Sequence, residues 1–153
     1  MPHHIISTSR SLPIALLRAR ERVMGPIRAM LADVGVTEQQ WRVLRVLDES
    51  GPMEPTRIGE RACLLLPSLT RILQKLEAKE LIRRKPDKSD GRRQIIRITP
   101  RGAELIAGNL DRSVELMTRI RDRMGPERYE ALLDLLNELD QPDSEGGGGG
   151  EGS

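Results

Sequence analysis

The sequence predicts a mainly α-helical fold with one small β-hairpin. Apolar residues recur at spacings of three and four before residue 81 and after residue 99, as they do in amphipathic helices. Between these points, a turn-rich stretch from Pro86 to Gly91 separates two short apolar runs, which is typical of a hairpin. The hairpin is strongly basic, because residues 79–101 carry nine Lys or Arg against three Asp or Glu, while the whole chain has a net charge of +2. Such a hairpin suits a DNA-binding wing, since phosphates and the minor groove attract it.

The composition excludes several classes of protein. The chain has 153 residues, of which 37% are hydrophobic, so it can bury one modest core. Phe is absent, and Trp41 and Tyr129 are the only aromatic residues, which predicts an aliphatic core and disfavours recognition of single strands by base stacking. The single cysteine, Cys63, excludes an internal disulfide framework and fits a reducing compartment. No apolar run is long enough to span a bilayer, so we expect a cytoplasmic protein without a membrane contact.

No pattern of catalytic or metal-binding residues stands out. The sequence lacks a Ser/His/Asp arrangement and a cluster of metal ligands. Its run of five glycines lacks the flanking strand and the Lys-Ser/Thr pair of a phosphate-binding loop. We therefore expect a protein that is not an enzyme and that uses no cofactor and no metal.

Four helices are predicted before the hairpin. Ser11 is the expected N-cap of the first, which reaches about residue 32. Thr37 caps the second, with Gln40 completing a capping box. A short third helix follows, and the fourth opens with Pro67 at its first position and reaches about Glu80.

Two further helices are predicted after the hairpin, the first opened by Thr99 or Pro100 and the second ending near Leu139. Both ends of the chain thus supply long amphipathic helices that suit a bundle between two protomers. The expected organisation is a flexible arm (1–10), a domain (11–140) in which dimerisation helices (11–36 and 100–140) flank a DNA-binding winged helix-turn-helix (37–99), and a disordered Gly-rich tail (141–153).

The exposed positions of the fourth helix carry the chemistry of a DNA recognition helix. They are hydroxyls, an amide and cations, which suit phosphates and base edges, although ordinary surface residues have a similar composition. Two short helices joined by a tight turn and followed by a basic hairpin predict a winged helix-turn-helix. The candidate DNA-binding residues in the helix and hairpin are Ser68, Thr70, Arg71, Gln74, Lys75, Arg84, Lys88, Arg92 and Arg93.

Two long segments resemble a known family. PSLTRILQKLEAKELIRR at 67–84 and DKSDGRRQIIRITPRG at 87–102 resemble the recognition helix and wing of the multiple antibiotic resistance regulator (MarR) family of bacterial repressors, in order and in spacing. The similar branch is the one that represses the homoprotocatechuate degradation operon and related aromatic-acid pathways. The segments similar to this branch are SLPIALLRARERVM at 11–24, TEQQWRVLRVL at 37–47 and RACLLLPSLT at 61–70.

The resemblance implies a homodimer that binds a palindromic operator in double-stranded DNA. Recognition helices would enter successive major grooves, and wing arginines would reach the flanking minor grooves. Asp90-Gly91-Arg92 matches the family's wing motif, so the resemblance gives Arg92 the minor-groove contact, with Asp90 orienting it and Arg93 beside it on phosphate. The chain departs from the family pattern at Leu64-Leu65-Leu66, where an N-cap hydroxyl or a further basic residue is often found.

Ser11, Arg20, Trp41 and Arg42 are the candidate effector-binding residues. A lone Trp next to an Arg can stack an aromatic ring and pair with its carboxylate, whereas surface ion pairs are the alternative for both arginines. The resemblance implies an effector pocket in this region, with a small aromatic acid or its thioester as the effector. The expected function is therefore a ligand-responsive repressor of an aromatic-compound catabolic operon, for homoprotocatechuate, hydroxyphenylacetate or a related acid.

Cys63 offers an alternative to an aromatic acid as the signal to which the repressor responds. A buried structural cysteine is the commoner role for a residue between two helices, and we expect that role here. The alternative is a single-cysteine sensor of oxidants or electrophiles, as the resemblance implies for some members of the family.

Overall fold

The structure, a computed structural model, describes residues 7–142, which contain a short 3-10 helix, six α-helices and a two-stranded hairpin. The predicted fold class is confirmed, and the elements follow the expected order. The elements are α1 (Leu12–Val34), α2 (Glu38–Ser50), α3 (Pro55–Ala62), α4 (Leu66–Ala78), β1 (Ile82–Pro86), β2 (Gln94–Ile98), α5 (Pro100–Met124) and α6 (Pro126–Asp140).

The chain divides into two compact units within α5. The first unit ends at Leu116 and contains α1 to α4, the hairpin and the beginning of α5. The second unit begins at Met117 and contains the end of α5 and α6. All candidate DNA-binding and effector-binding residues lie in the first unit.

Residues close together in the sequence set the end of α1 and the beginning of α2. Thr37 Oγ1 accepts from the Gln40 backbone N–H at 3.1 Å, and the Thr37 backbone N–H donates to Gln40 Oε1 at 3.1 Å, so the predicted capping box is confirmed. α1 ends where Gly35 adopts a left-handed φ of 83°. Ser11 occupies the N-cap position of α1, although its side chain makes no capping hydrogen bond.

α4 ends at Ala78, earlier than the expected position near Glu80. The reason is that Glu80 adopts a left-handed φ of 61°, which stops the helix. The Leu81 N–H then donates to the Leu76 carbonyl at 3.0 Å, and the Glu80 N–H donates to the Glu77 carbonyl at 2.9 Å. These two bonds form a Schellman motif, which usually has glycine at the left-handed position.

Part of the predicted flexible arm has regular structure. Thr8–Arg10 form a turn of 3-10 helix, in which the Arg10 N–H donates to the Ser7 carbonyl at 2.8 Å. The Arg18 guanidinium on α1 also donates to the Thr8 hydroxyl at 3.3 Å. The second bond joins Thr8 to α1, and the arm boundary at residue 10 stays a prediction. Residues 1–6 and most of the predicted tail, from 143 onward, lie outside the described residues.

The core of the first unit is aliphatic, as the composition predicts. Trp41, the single tryptophan of the chain, also lies in this core and is 7% exposed. Side chains from α1 to α5 and from both strands meet in this core. The largest that are fully buried are Met30, Leu31, Leu44, Leu47, Ile58, Leu69, Leu73, Leu76, Ile82, Ile96 and Ile106.

Cys63 is exposed, so the expectation of a buried structural cysteine is wrong. It occupies the C-cap of α3 with a left-handed φ of 55°, at the point where the chain leaves the helix. Its neighbours Ala62 and Leu64 contact the core instead. The cap position therefore explains why this small apolar side chain stays at the surface.

The hairpin is joined to the helical part through its base. β1 and β2 pair antiparallel, with Ile82 opposite Ile98. Ile96 on β2 also pairs with Met53 in the loop between α2 and α3, through bonds of 3.1 and 2.9 Å. The sequence pattern did not predict this third, single-residue partner of the sheet.

Thr99 connects the base of the hairpin to the start of α5. Its N–H donates to the Leu81 carbonyl at 3.1 Å, and its hydroxyl donates to the Glu80 carbonyl at 2.7 Å. The same hydroxyl accepts from the Gly102 N–H at 3.1 Å. The backbone of α5 approaches Leu81, the residue before β1, so closely that a Cβ on Gly102 would lie 2.4 Å from the Leu81 carbonyl oxygen.

Candidate DNA-binding surface and effector site

α4 has one buried side and one exposed polar side. Leu69, Leu73 and Leu76 are buried, and their spacing of four and three places them on one face of the helix. The Thr70 hydroxyl donates to the Leu66 carbonyl at 3.0 Å, which leaves its oxygen lone pairs available to accept. The five polar candidates on this helix are all exposed, and together they are called the polar row of α4: Ser68, Thr70, Arg71, Gln74 and Lys75.

The beginning of α4 is apolar and uncapped. The helix starts at Leu66, which places Pro67 second, one position later than predicted. Leu65 occupies the N-cap and makes no side-chain capping bond, as its apolar side chain requires. The side chains of Leu65 and Leu66 are 79% and 52% exposed. Two leucines therefore stand next to the polar row of α4 without burial in the core.

Two aspartates order the tip of the hairpin. The Asp87 carboxylate accepts from the Ser89 N–H at 3.2 Å and from the Ser89 hydroxyl at 3.1 Å. The Asp90 carboxylate accepts from the backbone N–H of Arg92 at 3.0 Å. Such Asx turns hold the backbone in a defined bend. Asp90 thus positions the backbone of Arg92, whereas the resemblance suggested only that it orients this arginine.

Arg92 and Arg93 differ in their partners. Arg93 Nη1 lies 3.4 Å from Glu54 Oε1, and Arg93 Nε lies 3.8 Å from Asp90 Oδ2. The Arg92 side chain is exposed and forms no hydrogen bond or ion pair with any residue of 7–142. Glu54 is 39 residues from Arg93 in the chain, and no sequence signal pointed to it. Arg92 is therefore the wing-tip arginine whose guanidinium stays available to a partner.

The other two basic candidates of the hairpin also differ. Arg84 Nε lies 3.4 Å from Glu77 Oε2 on α4, and this arginine is half-buried. Lys88 at the tip is exposed. The Arg84 pair links the hairpin to α4, while Lys88 extends the positive charge around Arg92.

Arg20 forms an ion pair with Glu38, which was the alternative considered for it. Glu38 begins α2 and is largely buried, and its second oxygen lies 3.3 Å from Arg28 Nε. Arg28 also donates two bonds of 2.9 Å to Glu21. These bonds hold the pKa of the Glu21 carboxyl below its usual value. The α1–α2 junction therefore carries a four-residue charge network that the sequence did not predict.

Trp41 and Arg42 lie beside each other at the start of α2. Trp41 is buried, and Arg42 is half-buried. The Arg42 Nε atom is buried and has no hydrogen-bond partner among the described residues. No hydrogen bond or ion pair between Ser11, Arg20, Trp41 and Arg42 is present within residues 7–142. A buried donor without a partner is costly, which makes Arg42 the member of this group with the clearest need of an acceptor.

A lysine at the end of α4 contacts the α1–α2 turn. Lys79 Nζ donates to the Gly35 carbonyl at 2.8 Å and to Gln40 Oε1 at 3.1 Å. The same Gln40 oxygen belongs to the capping box of α2. The end of α4 is thereby bonded directly to the α1–α2 turn and to α2, the helix that carries Trp41 and Arg42.

The residues from 7 to 142 offer neither a metal cluster nor a membrane-spanning helix. No three His, Cys, Asp or Glu side chains come together to hold a metal ion in residues 7–142. None of the helices described here has the length and apolar character needed to cross a bilayer.

Comparison with known proteins reveals relatives that span most of the chain. The HTH-type transcriptional regulator FarR of Neisseria gonorrhoeae is 36% identical over 87% of this chain and 91% of its own length. The homoprotocatechuate degradative operon repressor of Escherichia coli is 38% identical over 84% of this chain and 87% of its own length.

Three solved structures share the fold. The transcriptional regulator PA4135 is 39% identical, with a TM-score of 0.81, over 86% of this chain and 98% of that chain. NadR in complex with 4-hydroxyphenylacetate is 34% identical, with a TM-score of 0.76, over 84% of this chain and 94% of that chain. The transcriptional repressor CouR bound to a 23-mer DNA duplex is 29% identical, with a TM-score of 0.77, over 87% of this chain and 94% of that chain.

The family model described as the MarR family matches residues 36–93, from the turn before α2 to the wing tip. This match contains the whole polar row of α4 and the basic tip of the hairpin. The chain therefore belongs to the MarR family of DNA-binding transcriptional regulators.

Proposed function

We propose that this protein is a homodimeric repressor that binds a palindromic operator of an aromatic-compound catabolic operon and releases it when an aromatic acid or its thioester binds. The observation that carries the proposal is the exposed polar row of α4 followed by a wing tip with an unpartnered arginine, Arg92. Its place of action is the cytoplasm, where the operator is.

Each basic candidate has a role in this proposal that follows from its partners. Arg92, free at an ordered tip, enters the minor groove, where A·T-rich DNA attracts arginine. Lys88 contacts phosphate, and Arg84 and Arg93, held by carboxylates, support the wing and add phosphate contacts. The candidates that contact bases and phosphates of the major groove are Ser68, Thr70, Arg71, Gln74 and Lys75.

Exposed leucines support the homodimer. Leu12, Leu16 and Leu17 on α1 are 54%, 39% and 64% exposed in the single chain. Leu135 and Leu139 on α6 are 63% and 55% exposed. Apolar surface of this extent on amphipathic helices favours burial against a second copy.

The effector site in this proposal centres on Arg42 and Trp41. A carboxylate would give the buried Arg42 Nε the acceptor that it lacks, and Trp41 would contact the ring. The solved complex of NadR with 4-hydroxyphenylacetate and the Escherichia coli homoprotocatechuate repressor support an acid of this kind. Arg20 acts through Glu38, and Ser11 offers a hydroxyl that makes no cap bond.

Release of DNA requires that the effector bind one of two dimer states more tightly. The Lys79 bonds to Gly35 and Gln40 provide a direct connection from the effector helices to α4. A shift at the α1–α2 turn would therefore change the position of the recognition helix, and with it the match to the half-site spacing.

The effector proposal predicts selective stabilisation by an aromatic carboxylate. With 4-hydroxyphenylacetate at a hundred times its Kd, we expect the free energy of unfolding to rise by about 2.7 kcal/mol and Tm by roughly 5 to 10 °C. The uncharged amide of the same compound should leave Tm unchanged. Arg42→Gln should abolish the response to the acid, and operator release in a mobility-shift assay should be lost in parallel. An amide as effective as the acid, or a full response of Arg42→Gln, would contradict the site.

The exposure of Cys63 favours a second candidate trigger, oxidation or alkylation of its thiol. Under the main proposal, Cys63→Ser should keep the full response to the aromatic acid. If the wild-type protein also releases operator with peroxide and Cys63→Ser loses only that response, the thiol is an additional trigger. If Cys63→Ser responds to peroxide as the wild type does, the thiol is not a trigger.

A further inference from the structure

Leu65 and Leu66 are unusual among the exposed leucines of the chain. Leu65 is 79% exposed, the highest value for a large apolar side chain in the described residues. The other large apolar side chains that are exposed lie on α1, α5 and α6, where the proposed dimer would cover them. Leu65 and Leu66 lie instead at the start of α4, next to the exposed Ser68 and Arg71. Dimerisation through the terminal helices does not account for their exposure.

The first turn of a recognition helix is the part that approaches base edges in the major groove. Most groups displayed there are hydrogen-bond donors and acceptors, which a leucine cannot pair. The exception is the C5-methyl group of thymine, which is apolar. The chain also carries leucines at 65 and 66 where the family pattern often has a hydroxyl or a basic residue. An apolar side chain at the start of α4 thus has one favourable partner in the major groove, the methyl group of thymine.

We propose that Leu65 and Leu66 are specificity-determining residues that contact thymine methyl groups in the major groove of each operator half-site. This inference rests on the proposed function, in which α4 is the recognition helix. The polar row of α4 then supplies hydrogen bonds, and the leucine pair selects A·T pairs at adjacent positions by burial of a methyl group.

The test removes the methyl group from the DNA and leaves the base pairing intact. An operator is first selected from a pool of random duplexes with the full-length protein. Each thymine is then replaced by deoxyuridine, and the Kd of the wild-type protein is measured. Burial of one methyl group contributes about 0.8 kcal/mol, so we expect about a fourfold loss of affinity for one half-site and about fifteenfold for both. Thymines outside the footprint serve as the control.

Variants of the protein identify the side chains responsible. Leu66→Ala and Leu65→Ala should bind the thymine and the deoxyuridine operators with more similar affinities than the wild type does. Lys88→Ala is the matched control, because loss of a phosphate contact should weaken both operators equally. Since both leucines are exposed, we expect Tm to stay unchanged, and the deoxyuridine scan needs no variant at all.

The outcomes separate this inference from the function on which it rests. If no operator is selected, both the DNA-binding proposal and the inference are overturned. If an operator is selected but deoxyuridine at every position binds as tightly as thymine, only the inference is overturned. If a thymine preference persists undiminished in both leucine variants, another residue reads the methyl group and the assignment is wrong.

Discussion

Replacing Arg92 by alanine is expected to weaken operator binding about a hundredfold without changing Tm. The Arg92 side chain has no partner among residues 7–142, so its removal costs the folded protein nothing. On DNA, a specific arginine contact contributes about 1–3 kcal/mol, and a dimer loses two of them. Fluorescence anisotropy with a labelled operator measures the loss. The salt dependence of Kd should also become shallower, because fewer counterions are released.

Arg93→Ala is the matched control for this prediction. Arg93 is the neighbouring arginine with the same charge, but Glu54 and Asp90 already hold its guanidinium. Its removal should therefore weaken binding about tenfold or less, through a looser tip and one phosphate contact per protomer. A larger loss for Arg93→Ala than for Arg92→Ala would reverse the assignment of the minor-groove contact.

Gly102→Ala is expected to lower the free energy of unfolding by about 3 kcal/mol, the upper end of the usual cost of overpacking. The added Cβ would lie 2.4 Å from the Leu81 carbonyl oxygen and 2.8 Å from Ile98 Cγ1. That carbonyl accepts the Thr99 N–H at 3.1 Å, so it cannot move away without loss of this bond. Urea unfolding at a fixed protomer concentration measures the change.

Gly108→Ala is the control on the same helix. Outside its chain neighbours and the nearby backbone of α5 itself, no atom lies within 4 Å of a Cβ at Gly108, and the Gly108 backbone is helical. Alanine there should raise the free energy of unfolding by about 0.5–1 kcal/mol, since it restricts the unfolded chain. A Gly102→Ala variant as stable as the Gly108→Ala variant would mean that α5 does not pack against Leu81 as described.

Features set by short stretches of sequence were predictable. The capping box of Thr37 and Gln40 involves residues three apart, and the hairpin is marked by a local change of period and turn residues. The end of α4 was missed because Glu80 adopts a left-handed conformation that glycine usually signals. The exposure of Cys63 was missed for a related reason: its surroundings depend on a helix cap that its residue type does not announce.

The sequence predicts which residue types form the candidate DNA-binding surface and effector site. It does not predict which arginines form ion pairs with which carboxylates. The exposed polar row of α4 follows from helical spacing alone. The difference between Arg92 and Arg93 does not, because it depends on Glu54, 39 residues away in the chain. Likewise, nothing in the sequence indicated that Arg20 pairs with Glu38, 18 residues away. Long-range contacts of this kind arise from tertiary packing and leave no periodic signal.

The burial of Trp41 makes intrinsic tryptophan fluorescence a probe of ligand binding in this protein. Trp41 is the single tryptophan of a chain that has one tyrosine and no phenylalanine. Trp41 is 7% exposed and is followed in the chain by the half-buried Arg42. Excitation selective for tryptophan therefore reports on α2 alone, with no background from other indoles. Quenching or a spectral shift on addition of an aromatic acid would follow occupancy of the proposed pocket in unlabelled protein, with or without DNA.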